Sequence, residues 1–172
     1  MAREIERKFL VSRERWRADP EQGVRYRQGY LSVDPARTVR VRTAGANAFI
    51  TVKGMTAGIE RLEFEYGIPF ADAEQLLGLL CVRPLVEKTR YRVPFAGRVW
   101  EVDEFEGENE GLLTAEVELE SPSADVTLPP WIEREVSGDA RYYTTPQSLS
   151  QEHYESFKQL LESELARYKG RD

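Results

Sequence analysis

The chain has one cysteine, Cys81, and one histidine, His153, in 172 residues. A lone cysteine excludes an internal disulfide and agrees with a reducing compartment. Beside Leu79 and Val82 it reads as a small buried apolar side chain, not a reactive thiol. A single histidine excludes metal sites built on several imidazoles and argues against a Ser-His-Asp arrangement. Any metal is therefore expected to be a hard cation held by carboxylates. No apolar stretch approaches the roughly 20 residues that span a bilayer, and the opening Arg3, Glu4 and Glu6 are not the apolar run of a secretory leader. The cytoplasm is the expected location, with no membrane partner. A basic surplus is missing as well. Asp and Glu number 30 against 24 Lys and Arg, a net charge of −6, which argues against a broad electrostatic grip on nucleic acid. Repeats, low-complexity tracts and long linkers are also lacking, so residues 1–172 are expected to form one domain.

What the sequence has in quantity is a period of two, repeated in short segments, the pattern of β-strands. It predicts strands over Glu4–Val11, Val24–Val33, Thr38–Thr43, Ala48–Lys53, Arg61–Pro69, Leu85–Pro94, Arg98–Glu106 and Leu113–Ser121. Turn residues separate them: Asp34-Pro35, Gly45-Ala46-Asn47, Gly54 through Gly58, Ala96-Gly97 and Gly107 through Gly111. Helical spacing of leucines predicts a helix over Ala71–Leu80, stopped before Pro84. A C-terminal helix over about 150–168 is predicted by Ser150 as N-cap and by Tyr154, Phe157, Leu160, Leu161 and Leu165. A short helix near Arg13–Arg17 is a further expectation. Connections too short for parallel crossovers make the sheet largely antiparallel, so the class is α+β and mainly β.

Successive side chains on a strand point to opposite faces. One face collects Glu4, Glu6 and Lys8 on the first strand, Arg40 and Arg42 on the third, and Thr51 and Lys53 on the fourth. Glu63 and Glu65 follow on the fifth, Lys88, Arg90 and Arg92 on the sixth, Glu101 and Asp103 on the seventh, and Glu116, Glu118 and Glu120 on the eighth. An ordinary sheet with one solvated face would also alternate. Here, though, the polar face is almost purely Glu, Asp, Lys and Arg, and the signs sort by strand, as in a cavity with acidic and basic walls. If such a sheet closes with these faces inward, the cavity must stay wet and hold ligands that balance its charge. Arginine and lysine in a fixed array match phosphate oxygens, and clustered carboxylates suit Mg²⁺ or Mn²⁺. The two walls together imply a ternary complex of a polyphosphate and cations.

Glu4-Ile5-Glu6-Arg7-Lys8 is an ExExK pattern that resembles the opening strand of the CYTH family, the triphosphate tunnel metalloenzymes. In order follow Gln28-Gly29-Tyr30-Leu31, Val39-Arg40-Val41-Arg42, Thr51-Val52-Lys53-Gly54, Glu63-Phe64-Glu65, Val86-Glu87-Lys88-Thr89-Arg90-Tyr91, Glu101-Val102-Asp103-Glu104-Phe105 and Glu116-Val117-Glu118. The set covers roughly residues 1–145 and is most similar to the short bacterial branch with many inorganic triphosphatases. The resemblance implies a closed eight-stranded antiparallel β-barrel around a charged tunnel, with flanking helices and the C-terminal helix. It implies Glu4, Glu6, Glu116 and Glu118 as metal-binding carboxylates, with Asp103 assisting through the metal's water shell. Lys8, Arg40, Arg42, Lys53, Lys88 and Arg90 would form the triphosphate cradle, and Glu6, Arg42 and Lys88 would act in catalysis. Glu63 and Glu65 become secondary tunnel residues that orient basic side chains or hold metal-bound water. Arg92 and Glu120 extend the alternation with a solvated role equally open, and Gln28 and Tyr30 read as structural. One departure stands out: the run Asp139 to Leu149 carries Pro146 and lacks the Asn that similar proteins place after a Tyr-rich turn.

The implied reaction is metal-dependent hydrolysis of a triphosphate, inorganic tripolyphosphate to pyrophosphate and phosphate, by metal-activated water. A lysine ringed by carboxylates is expected to keep its proton, which disfavours Lys88 as general base. A nucleoside or thiamine triphosphatase stays open as an alternative. An adenylate cyclase fits less well, since no His-Phe pair precedes Glu4. A polyphosphate-binding module without turnover would not need the four glutamates. The partner is a triphosphate-containing small molecule. Trp16, Trp100 and Trp131 are expected in the core, a homodimer contact being their other use.

Overall fold

The computed structural model describes residues 3–142. The helix expected over about 150–168, and most of the atypical segment around Pro146, lie outside the described residues. The charged–apolar alternation produces nine strands in chain order: β1 Arg3–Val11, β2 Val24–Ser32, β3 Thr38–Ala44, β4 Asn47–Lys53, β5 Glu60–Gly67, β6 Val82–Phe95, β7 Arg98–Phe105, β8 Leu113–Glu118 and β9 Ile132–Glu135. A helix, α1 Phe70–Leu79, lies between β5 and β6. All pairings are antiparallel, in the order β5-β4-β3-β2-β6-β7-β8-β1-β9, and β1 also pairs with β5. That last seam, Arg3 opposite Leu62 to Ile5 opposite Glu60, closes eight strands into a barrel and leaves β9 as an extra strand on β1.

Local chemistry sets the turns. Ala96 and Gly97 both adopt left-handed backbone, φ 48° and 77°, as a two-residue hairpin between β6 and β7 requires. Gly29 on β2 has a different reason. A Cβ there would meet Cys81 and Leu85 at 2.7 Å, so glycine lets the segment after α1 close against the barrel.

The barrel is inverted relative to a sheet with an oily interior, because its apolar faces point outward and are covered from outside. Ile5, Phe9, Trp100, Val102, Ala115 and Val117 pack with Trp16, Leu119 and Trp131 under the chain after β1 and after β8. Trp100 is fully buried, with ring centroids 5.5 Å from Phe9 and 5.8 Å from Trp131. All three tryptophans thus serve this core. On the other side, Ala73 and Leu77 of α1 are buried against Val41 and Ala48 on the outer faces of β3 and β4. Among the described residues no helix is long and apolar enough to cross a membrane.

Two expectations need correction. Arg13–Arg17 is not a helix but a turn with a hydrogen bond from Trp16 N to the Ser12 carbonyl. Only Trp16 there has a surface to bury, and a single turn does not recover the cost of helix nucleation. The strand β9 was not expected. At four residues, Ile132-Glu133-Arg134-Glu135 is too short for its alternation to stand out.

Candidate active site

Because β-strand side chains alternate, folding the apolar faces outward drives the charged faces into the barrel. A cavity of about 800 Å³ fills it. Its lining includes Glu4, Glu6 and Lys8 from β1, Arg40 and Arg42 from β3, Lys53 from β4, and Arg61 and Glu63 from β5. Lys88, Arg90 and Arg92 come from β6, Glu101 from β7, and Glu116 and Glu118 from β8. Of the charged residues that the alternation assigned to the inward face, Asp103, Glu65 and Glu120 do not line it. Asp103 is completely buried behind the wall. Glu65 lies beside Arg40 and Arg42, and Glu120 pairs on the outside with Arg98 at 2.7 Å.

The basic side chains are anchored from behind. Asp103 Oδ2 accepts from Lys88 Nζ at 2.7 Å, and both its oxygens accept from Arg90, from Nε and Nη2, each at 2.7 Å. Both oxygens are therefore committed to cations. Its position is that of an anchor for Lys88 and Arg90, not of a group facing a metal's water shell. Glu65 plays a similar part on β5. It accepts from Arg42 Nη2 at 3.1 Å and from the Thr51 hydroxyl at 2.7 Å, and lies 3.6 Å from Arg40. Arg40 and Arg42 each keep a buried Nε–H with no partner among the described residues. Such a donor carries a desolvation cost that an anion would relieve.

The acidic side is strained by like charge. Glu6 on β1 stands directly opposite Glu118 on β8. Burial and the Glu116 carboxylate raise the Glu6 carboxyl above its ordinary range, against the pull of Lys8, Lys53 and Arg90. Burial and Glu6 push Glu4 up to about 8, although Lys53 Nζ lies 3.0 Å away. Lys53 Nζ also sits 2.6 Å from Glu63. For Glu63, burial is outweighed by a hydrogen bond with Glu4 and by Lys53, leaving its carboxyl at about 2. Glu116, like Asp103, is a buried acid held low by its cations. Burial would raise it, but Lys8 at 2.8 Å and Arg90 at 3.2 Å hold it well below the carboxylate range.

The two lysines differ for a reason visible in their neighbours. At Lys8, burial is outweighed by Glu116 and Glu6, so its ammonium is held more firmly than usual. At Lys88, burial comes first and Arg90 second, and together they pull it down to about 8 despite Asp103 and Glu116. The expectation that a lysine ringed by carboxylates resists such a shift fails here. Arg90 already draws on the same Asp103, and complete burial penalises the charge further.

Sequence reading missed several lining residues. Arg61 had a signal, since it precedes Glu63 by two on β5. Tyr26 and Tyr30 line the cavity as well, and an aromatic face gave no warning of it. Arg98 also lines the cavity, as does Arg92, which is exposed and which the alternation had placed on the charged face.

Oxygen donors alone, charge repulsion among Glu4, Glu6 and Glu116, and the opposed Glu6 and Glu118 fit a hard divalent cation. Among the described residues no three acidic side chains converge on one point. The donor set therefore suits a cation that takes one or two carboxylates and completes its shell from water and phosphate.

The CYTH domain family matches residues 2–143. The chain is 47% identical over 159 residues to an inorganic triphosphatase of Acetivibrio thermocellus, covering 92% of this chain and all of that protein. It is 38% identical over 154 residues to an inorganic triphosphatase of Nitrosomonas europaea, covering 86% of this chain and 97% of that one. The crystal structure of the inorganic triphosphatase NE1496 superposes with a TM-score of 0.61 and 36% identity, over 87% of this chain and 97% of the other.

Proposed function

The chain belongs to the CYTH family, and from that premise we propose how it hydrolyses a triphosphate, with inorganic tripolyphosphate as its substrate, yielding pyrophosphate and phosphate. The observation that carries this reading is the pairing of two walls in one closed barrel: Glu6 opposed to Glu118, and an arc of anchored cations across the cavity. Relatives that are themselves inorganic triphosphatases support the substrate class.

Arg40, Arg42 and Lys53 bind the phosphate oxygens, the two arginines through donors they do not use within the protein. Lys88 and Arg90, fixed by Asp103, stabilise the charge that develops as the terminal P–O bond breaks and pyrophosphate leaves with the electron pair. Lys8 holds Glu116 ionised and oriented. Glu4, Glu6, Glu116 and Glu118 would hold Mg²⁺ or Mn²⁺, one or two carboxylates to each cation, which when bound would neutralise phosphate charge and make a water acidic enough to attack. We place the reaction in the cytoplasm, from the single cysteine and the absence of a disulfide partner for it.

Phosphate release from tripolyphosphate, ATP and thiamine triphosphate, each with Mg²⁺ and with Mn²⁺, tests the substrate. Fastest turnover of tripolyphosphate is expected. Faster turnover of either organic triphosphate would replace this reading with a nucleoside or thiamine triphosphatase.

A further inference from the structure

The basic arc is interrupted. Arg40 and Arg42 lie on β3 and Lys88 and Arg90 on β6, with β2 between them. At roughly 4.8 Å per strand, the two groups sit about 10 Å apart across the sheet. The arginines of β2 do not bridge this gap. Arg25 and Arg27 point outward, Arg25 to Glu106 at 2.6 Å and Arg27 to Glu74 at 2.9 Å. What β2 offers the cavity at that level is Tyr26, half-buried and directly opposite Lys88 in the β2–β6 register. Its ring centroid lies 5.3 Å from the Arg42 guanidinium carbon, 5.2 Å from that of Arg90 and 5.8 Å from Lys88 Nζ. Three cations from two strands meet on one aromatic side chain.

Three like charges around one point repel, and in the protein they are drawn to two carboxylates: Arg42 to Glu65, and Lys88 and Arg90 to a shared Asp103. An aromatic ring attracts cations through its quadrupole without competing for phosphate as a carboxylate would. We propose that Tyr26 is a positioning residue for the triphosphate, its ring holding Arg42 and the Lys88–Arg90 pair at the separation at which both halves of the arc contact one substrate. This rests on the triphosphatase reading and refines it.

The test compares Tyr26→Phe, which keeps the ring, with Tyr26→Leu, which keeps bulk and loses the π face. Tripolyphosphate turnover and the shift in melting temperature on adding tripolyphosphate are both read. Tyr26→Leu should lose kcat/KM by about tenfold or more, the scale of misplaced charge in a prearranged site, and most of the melting shift. Tyr26→Phe should retain at least half the wild-type kcat/KM. Should Tyr26→Leu not yield folded protein, Tyr26→Met carries the same comparison. Equal kcat/KM per folded molecule for Leu (or Met) and Phe would overturn the proposal. So would an equal loss in all variants, which would assign the role to the hydroxyl. A wild-type protein inactive on tripolyphosphate would instead sink the triphosphatase reading itself, and is told apart by the wild-type control.

Discussion

Glu6 and Glu118 occupy directly opposed positions of the β1–β8 ladder, two acids whose side chains share one face of the sheet. Opposed like charges destabilise an antiparallel pair by roughly 0.2–1 kcal/mol. Both side chains line the cavity, and in the proposed function a cation offsets their repulsion. Glu6→Gln should therefore raise the stability of the metal-free protein by up to about 1 kcal/mol at pH 8, while reducing tripolyphosphate turnover by about 100-fold or more. Urea denaturation beside a phosphate-release assay checks both; a loss of stability with unchanged turnover would refute the assignment.

The acidic wall also sets a pH dependence. Glu4 is raised to about 8 by burial and Glu6, and Glu6 is raised by burial and Glu116. Between the ordinary glutamate range and pH 8 the folded state thus retains the Glu4 proton that the unfolded chain has released, and the raised Glu6 acts in the same direction. Stability of the metal-free protein should fall as pH rises from 5 to 8, by at most about 1.4 kcal/mol per pH unit for each such proton. Above about 8 the sign reverses for Lys88, which releases its proton in the folded state first. Saturating Mg²⁺ should flatten the 5-to-8 slope, and calorimetry in buffers of differing ionisation enthalpy should show proton release on cation binding. A slope of the opposite sign in metal-free protein would contradict the burial argument.

Asp103 anchors two cations from complete burial. Asp103→Asn leaves Lys88 and Arg90 short of their counter-charge and should cost about 3–5 kcal/mol in chemical denaturation. A cost under about 1 kcal/mol would show that the pair finds compensation elsewhere.

Inner and outer ion pairs should behave differently. Arg7 on the outer face of β1 pairs with Glu135 through two hydrogen bonds, of 2.8 and 2.7 Å. Arg7→Ala should change stability by about 1 kcal/mol or less and turnover less than about twofold. Arg42→Ala, inside, should reduce kcat/KM for tripolyphosphate by about 100-fold. Equal effects of the two substitutions would mean that the inward charges have no privileged role.

The fold was largely legible because its inversion leaves the period of two intact: Val39 and Val41 against Arg40 and Arg42 reads the same whether the charged face meets bulk water or a tunnel. What periodicity could not distinguish was depth. Asp103 shares a face with Glu101, yet one is fully buried behind Lys88 and Arg90 while the other borders the cavity. The opposite shifts of Lys8 and Lys88 depend on which carboxylates are already engaged by arginine, a tertiary fact absent from spacing. Tyr26 escaped notice because its role comes from cations on two other strands, which only the strand order β3-β2-β6 brings together.

The central claim, that acidic and basic walls act jointly on a triphosphate through a divalent cation, is tested most directly by one titration. Phosphate release from tripolyphosphate is followed in Mg²⁺ or Mn²⁺, chelator is added in excess, and the cation is then restored. Turnover should stop on chelation and return on restoration. Undiminished release in the presence of chelator would contradict the account.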